Sequence, residues 1–244
     1  MKEKISISLE EQMLPALDSL VDNRMIRNRS QAVEFVLNQY FDANAPVRAV
    51  LLGGKIELES KTFQNVPMIL SQLKTAGISE IIVAGGPATE SIFNLIQSDN
   101  FFSSKAIFLR ESSPQGTGGA LKLAENYLKH PFILAYLDVA FELDILAMLA
   151  AHKKSRSLAT MAVTYVPGDQ LTDYIRIKGD TITTFEYKSG RTTPLQNAGI
   201  YVFDPRVLAE VQSKSSLEKE LFPQLVGEGQ LRAFIFDTKW KHLE

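Results

Sequence analysis

The chain contains no cysteine. That excludes disulfides, thiolate metal sites and a cysteine nucleophile, and it fits a cytoplasmic protein. Histidine is scarce: His130, His152 and His242 follow no metal-ligand spacing, so each reads as a surface or packing residue. No apolar run is long enough to cross a membrane, and an N-terminus polar at every second position carries no leader pattern. Charge of one sign is missing too. The 26 Lys and Arg against 28 Asp and Glu leave a net charge of −2. The chain as a whole is therefore not drawn to nucleic acid, and any DNA contact has to be local. No internal repeat and no low-complexity tract occurs. What remains is an ordinary soluble composition in 244 residues, enough for a full core and for one or two domains.

The most informative stretch is Val47-Arg48-Ala49-Val50-Leu51-Leu52-Gly53-Gly54. It is too short for a helix and reads as a buried parallel strand. Paired glycines at its carboxyl end, Gly53 and Gly54, would let backbone N–H groups approach a phosphate closely. Lys55-Ile56-Glu57-Leu58-Glu59-Ser60 follows, with no further glycine and no arginine.

Residues 1–44 form a unit of their own. Lys4 to Leu9 alternates, with Ile5, Ile7 and Leu9 on one face and Lys4, Ser6 and Ser8 on the other. A helical pattern follows through Met13, Leu14, Leu17, Leu20 and Val21, broken at Asp22-Asn23-Arg24. Ser30 reads as the N-cap of a second helix with Val33, Val36, Leu37 and Tyr40 on its apolar face. One strand and two short helices cannot enclose a core alone, so a homodimer through residues 4–40 is expected, and a higher oligomer stays open. The pattern resembles the ribbon-helix-helix family of DNA-binding proteins. The resemblance implies duplex DNA as a partner, with Lys4, Ser6 and Ser8 reading bases and Arg27, Asn28, Arg29 and Ser30 anchoring a phosphate. A pure dimerisation role competes with that reading, because the charges in this unit sum to −2.

Asp42-Ala43-Asn44-Ala45-Pro46 reads as a linker. Beyond it, over 45–244, strands alternate with helices, which predicts an α/β domain with a mostly parallel sheet. Expected strands include 80–84, 106–109, 132–137, 160–166, 174–178, 181–187 and 232–236. Three motifs stand out: Leu73-Lys74-Thr75-Ala76-Gly77-Ile78-Ser79-Glu80-Ile81-Ile82-Val83; Glu111-x-x-Pro114-x-Gly116-Thr117-Gly118-Gly119-Ala120; and Asn197-Ala198-Gly199-Ile200-Tyr201-Val202-Phe203-Asp204-Pro205. In this order they resemble the sugar nucleotidyltransferases, over residues 47–240. That resemblance implies a Rossmann-like mixed-sheet domain of glycosyltransferase-A type. It implies a nucleotide facing Gly53, Gly54, Glu111, Gly116, Thr117 and Gly118, and a sugar phosphate at Lys188 and Asn197. It also implies Mg²⁺ held by Asp138 and Asp237. The family's loop cations have no counterpart after Gly54, its sugar-binding glutamate is replaced by Tyr187, and Ile175 stands where it has glycine.

Losing the loop cations should raise a phosphoryl-transfer barrier, since one such contact commonly contributes about 3 kcal/mol. The expectation from the residues is therefore a dimeric DNA-binding regulator whose second domain binds a nucleotide, sugar phosphate or nucleotide sugar without turning it over. Under that reading no residue is catalytic. The alternative is an active sugar-1-phosphate nucleotidyltransferase, dimerised by its N-terminal segment and using Asp138, Lys188 and Asp237. A scaffold that has lost its ligand is the third reading.

Overall fold

The structure is a computed structural model that describes residues 6–22, 24–43, 46–53, 61–86, 89–102, 105–166, 173–191 and 193–243. The chain divides into two compact units, Met1–Ala45 and Pro46–Glu244.

In the first unit a 3-10 turn, Glu11–Met13, leads into helix α1, Leu14–Ser19, with Pro15 in its opening turn where no N–H is needed. The Asp22 carboxylate then closes a turn by accepting from the backbone N–H groups of Arg24, Met25 and Ile26 at 2.8, 2.8 and 2.9 Å. Helix α2 spans Arg29–Ala43. Its cap is Asn28, whose Oδ1 accepts from Gln31 N at 3.0 Å, so Ser30 lies inside the first turn and is not the expected N-cap. Residues 6–10 carry no strand, although alternation predicts one from Lys4 to Leu9. A single such segment has no partner within its own chain. Ala32 is the one buried hydrophobic residue among the described residues of this unit.

The second unit is a nine-stranded mixed sheet covered on both faces. Its elements run β1 Arg48–Gly53, α3 Lys61–Thr75, β2 Glu80–Gly85, α4 Thr89–Gln97, β3 Ala106–Arg110, α5 Gly116–Leu123, β4 Phe132–Tyr136, β5 Val139–Phe141, α6 Ile145–Ser155 and β6 Ala159–Tyr165. They continue with β7 Tyr174–Lys178, β8 Thr181–Glu186, β9 Leu195–Phe203, a π-helical turn Leu217–Leu221, α7 Phe222–Gly227, β10 Leu231–Phe236 and β11 Trp240–His242. Strand order is β3-β2-β1-β4-β9-β6-β10-β8-β7, and β5 pairs with β11 in a separate ribbon. The pairs β1 with β2, β1 with β4, β2 with β3 and β6 with β10 are parallel, whereas β9 runs antiparallel to β4 and β6. The carboxyl ends of β1, β2, β3, β4, β6 and β10 consequently share one edge of the sheet with the start of β9. In an open α/β sheet that edge is where ligands bind.

Strand alternation divides the core in two. Val50, Leu52, Ile82 and Leu134 face Ala120 and Leu121 of α5 and Phe222 and Leu225 of α7. Ala49, Leu51, Ile81 and Ile133 face Ile69 and Leu73 of α3, Ile92 of α4 and Met148 of α6. The sheet strands fall close to the spans that apolar periodicity predicts. Strands β5 and β11, three residues each, and the helical segment from Leu217 to Gly227 do not follow from the pattern. Ile175, which stands where the resembling family has glycine, is 1% exposed and packs in the core with Phe185.

Candidate active site

The strand-end glycines meet each other. Gly53 lies beside Gly85 in the parallel pair, and Gly85 has φ +149°, where an added Cβ would collide with the Gly53 carbonyl oxygen. Close backbone approach is thus the reason for glycine here. Gly54 lies outside the described residues.

From Gly85 the chain connection leads to α5. Glu111 N donates to Gly85 O at 2.9 Å, and the Glu111 carboxylate accepts from Gln115 N at 3.1 Å. Glu111 therefore shapes the turn before α5. The glycines of that turn serve a second purpose that the motif does not reveal. A Cβ at Gly116 would strike Ser215 O, and one at Gly118 would strike the Ser215 side chain. Gly118 N donates to Ser215 O at 2.9 Å. Glycine lets the 213–216 segment lie against the helix start and satisfies one of its free N–H groups.

That contact builds a cleft of about 460 Å³ lined by Gly116, Thr117, Tyr187, Lys188, Ser216, Glu218 and Lys219. Of the residues expected to meet a ligand, the structure brings Gly116, Thr117 and Lys188 together in it. At its floor Glu218, 7% exposed, accepts three hydrogen bonds. Thr117 Oγ1 and Ser216 Oγ donate to its Oε2 at 2.8 and 2.6 Å, and the Tyr136 hydroxyl donates to its Oε1. Burial above all, then the neighbouring Tyr201 and Glu218, pushes the Tyr136 hydroxyl well above the usual phenol range, so it stays a donor. Tyr136 packs edge-on to Tyr201 with centroids 5.6 Å apart. The Tyr201 hydroxyl donates to Asn197 Oδ1 at 2.9 Å, and Gly199 N donates to the same oxygen at 3.1 Å. Asn197 is thus 9% exposed and joined to the cleft through two tyrosines, not part of its lining.

Lys188 has φ +50°, a left-handed conformation uncommon for a side-chain-bearing residue and costing about 1–3 kcal/mol. Its N–H donates to Asp173 Oδ1 at 3.3 Å and its ammonium lies 5.2 Å from the Tyr187 ring centroid. Neither Lys188 nor Lys219 has a carboxylate partner among the described residues.

The family model for nucleotidyl transferases matches residues 60–243. The chain belongs to the nucleotidyl transferase family. It is 32% identical over 191 residues to a probable mannose-1-phosphate guanylyltransferase 3 of Arabidopsis thaliana, covering 73% of this chain and 58% of that protein. It is also 32% identical over 192 residues to a mannose-1-phosphate guanyltransferase of Saccharomyces cerevisiae, covering 73% and 53%. The chain thus spans a little over half the length of these relatives. Among solved structures, HddC from Yersinia pseudotuberculosis complexed with GMP-PN superposes with a TM-score of 0.68 at 22% identity, covering 80% of this chain and 93% of that one. The inositol-1-phosphate CTP transferase from T. maritima does so with a TM-score of 0.68 at 16% identity, covering 81% and 89%. These structures show the shared fold.

The findings correct the regulator expectation. Relatives named for guanylyl transfer favour an enzyme over a domain that only binds its ligand, and they bring no support for DNA binding. The Arg29 guanidinium, expected on a DNA phosphate, is held by Asp18 at 2.6 and 2.7 Å. Ser6 and Ser8 lie on an exposed segment without strand structure, Arg27 and Ser30 are exposed, and Lys4 lies outside the described residues.

A nucleotidyl transferase is expected to use Mg²⁺, and the residues fit it in part. Asp138 Oδ1 is buried and takes no hydrogen bond, leaving a carboxylate oxygen open to a cation. Its Oδ2 lies 3.5 Å from His242 Nε2. Mg²⁺ needs only one or two carboxylates when water and substrate phosphates complete its shell. The β5–β11 ribbon sets Leu243 against Asp138 and Lys239 against Glu142. Asp237 lies two residues before Lys239, outside the ribbon. Among the described residues no group of three or more His, Cys, Asp or Glu could hold a metal. His242, Ser216, Glu218 and Lys219 escaped the sequence reading. Ser216 caps the helical turn, its Oγ accepting from Lys219 N at 3.2 Å and its N donating to Glu220 Oε1 at 3.0 Å, and a serine in that place points to a helix start and not to a site.

Proposed function

We propose that this protein is a sugar-1-phosphate nucleotidyltransferase, joining a nucleoside monophosphate to a sugar 1-phosphate with release of pyrophosphate. The relatives' names support a guanosine nucleotide and mannose 1-phosphate as the substrates. The observation that carries the reading is the cleft in which the α5 turn, Gly116 and Thr117, meets the strained Lys188.

A phosphate oxygen of the sugar phosphate attacks the α-phosphorus of the triphosphate, and the bond to the bridging oxygen breaks as pyrophosphate leaves with its electron pair. Nothing covalent is required of the protein. Its part is to hold the two anions in line and to neutralise charge. Lys188 takes the sugar phosphate. Gly116 and Gly118 of the turn face the nucleotide, Glu111 holds that turn, and Asn197 supports the tyrosine pair beneath. Mg²⁺ held by Asp138 supplies charge neutralisation on the phosphates when bound. No arginine follows Gly54 before Ser60, and in this reading the cleft's own lysines supply the positive charge that the family's loop cations would bring. The N-terminal unit is the proposed homodimer contact, since one buried side chain cannot hold it together.

The test is pyrophosphate release with each nucleoside triphosphate, mannose or glucose 1-phosphate, and Mg²⁺. Turnover with a guanosine nucleotide and mannose 1-phosphate, lost in Asp138→Asn and Lys188→Ala, is the expected result. No turnover with any pair overturns the reading.

A further inference from the structure

The cleft has two chemically different walls, and hydrogen-bond accounting says which is which. The Thr117 and Ser216 hydroxyls each have one proton, and both protons go to Glu218 Oε2. Each hydroxyl oxygen also accepts one backbone N–H, Leu217 N on Thr117 at 2.9 Å and Lys219 N on Ser216 at 3.2 Å. One lone pair on each oxygen remains and no proton does. Toward the cleft both hydroxyls are therefore acceptors only. An acceptor wall suits the hydroxyl groups of a polyol and repels a phosphate oxygen. The other lining side chains that carry polar groups are the Lys188 and Lys219 ammoniums and the Tyr187 phenol, and both lysines are exposed without a carboxylate partner among the described residues.

We propose that the Ser216–Lys219 segment is a specificity-determining wall of the substrate site, with Lys219 and Lys188 sharing the phosphate of a phosphosugar. Glu218 is the positioning residue that turns Thr117 and Ser216 into acceptors for the sugar's hydroxyls. This deepens the transferase reading and rests on it for the substrate class. The contact to the sugar's hydroxyls then comes from Thr117 and Ser216, and Glu218 acts through them. This arrangement explains why the three donors converge on one buried carboxylate: a carboxylate accepts from all of them and donates to none.

The experiment is calorimetric binding of mannose 1-phosphate, glucose 1-phosphate, free mannose and inorganic phosphate to the full chain, in parallel with steady-state kinetics. Lys219→Ala should weaken phosphosugar binding about tenfold, the loss of one charge-assisted contact, while the KM for the triphosphate moves less than about twofold. Lys219→Arg should restore most of the affinity. Glu218→Gln keeps the shape but adds an N–H donor. It should weaken phosphosugar binding while leaving inorganic phosphate unchanged, a split that mere loss of folding would not produce. Unchanged phosphosugar affinity in Lys219→Ala overturns the proposal, as does a wild-type protein that binds none of the phosphosugars. Wild-type binding with the expected variant pattern but without turnover upholds this wall and removes the transferase reaction alone.

Discussion

In residues 46–244 both faces of the sheet are covered, and Leu51, Ile82, Phe132 and Tyr201 are fully shielded from solvent, whereas in the described part of residues 1–45 only Ala32 is. There Met25 is 86% exposed and Ile7 54%, with Leu9, Met13, Phe35, Val36 and Leu37 also exposed. The two units have similar helix-forming patterns, and the difference lies in what the patterns can close upon. A sheet with helices on both sides shields two apolar layers at once. Two short helices have one apolar stripe each and no third layer. The larger unit closes its own apolar layers, and the described part of the smaller unit leaves its apolar side chains exposed.

Substitution of a core aromatic should produce the largest contrast. Phe203 packs against both Tyr201 and Phe222, stacked at centroid distances of 5.7 and 6.4 Å. Phe203→Ala should cost about 3–5 kcal/mol. Phe35→Ala in the small unit should leave monomer stability within about 0.5 kcal/mol and weaken self-association instead. Urea denaturation and sedimentation measure the two effects. Equal loss of stability at both positions would mean that the small unit has a core of its own.

Removing residues 1–45 sharpens the same point. The truncated protein should stay folded and sediment as a monomer, with pyrophosphate release retained if the transferase reading holds. A truncated protein that still dimerises would move the interface to the larger unit.

Lys188→Gly tests a smaller effect in the opposite direction. Glycine adopts φ +50° without strain, so stability should rise by about 1 kcal/mol while loss of the ammonium lowers turnover about tenfold or more. A melting curve read beside the rate separates the two. Unchanged turnover would remove Lys188 from the site.

The smallest difference is in acid. Burial pushes the imidazole of His152 below its usual 6.5; the nearby Asp204 opposes the shift and Arg206 adds to it. The folded state refuses a proton that the unfolded state accepts, so this contribution is present above pH 6.5 and is lost as pH falls through the lowered folded value. The small unit has no histidine. Its Asp18 is held below 3.8 chiefly by the hydrogen bond from Arg29, so the stability from that pair is present above 3.8 and lost only as pH falls through the lowered value. Melting temperatures of the truncated protein at pH 7.5 and 5.5 should differ, and His152→Asn should narrow the gap. No narrowing would place the acid sensitivity elsewhere.

Much of the larger unit was legible in its residues. Runs such as Val47–Leu52 and Glu80–Ala84 alternate with helical patterns, and Gly77, at φ +74°, ends α3 as its position suggests. Local apolar periodicity and turn chemistry carry that information because they act over a few residues. The order Leu73–Val83, Glu111–Ala120, Asn197–Pro205 likewise pointed to the family. Other features depended on pairing between distant segments. Thr117 meets Glu218 across 101 positions of sequence. His242 reaches Asp138 only because three-residue strands β5 and β11 pair in one register, which leaves Asp237 at the other end. A side chain's neighbours across such pairings follow from register and from which layer covers which face, and neither is written in local sequence. The residues alone determined the sheet, its two apolar faces and the glycine turn. Tertiary packing decided which charges share the cleft.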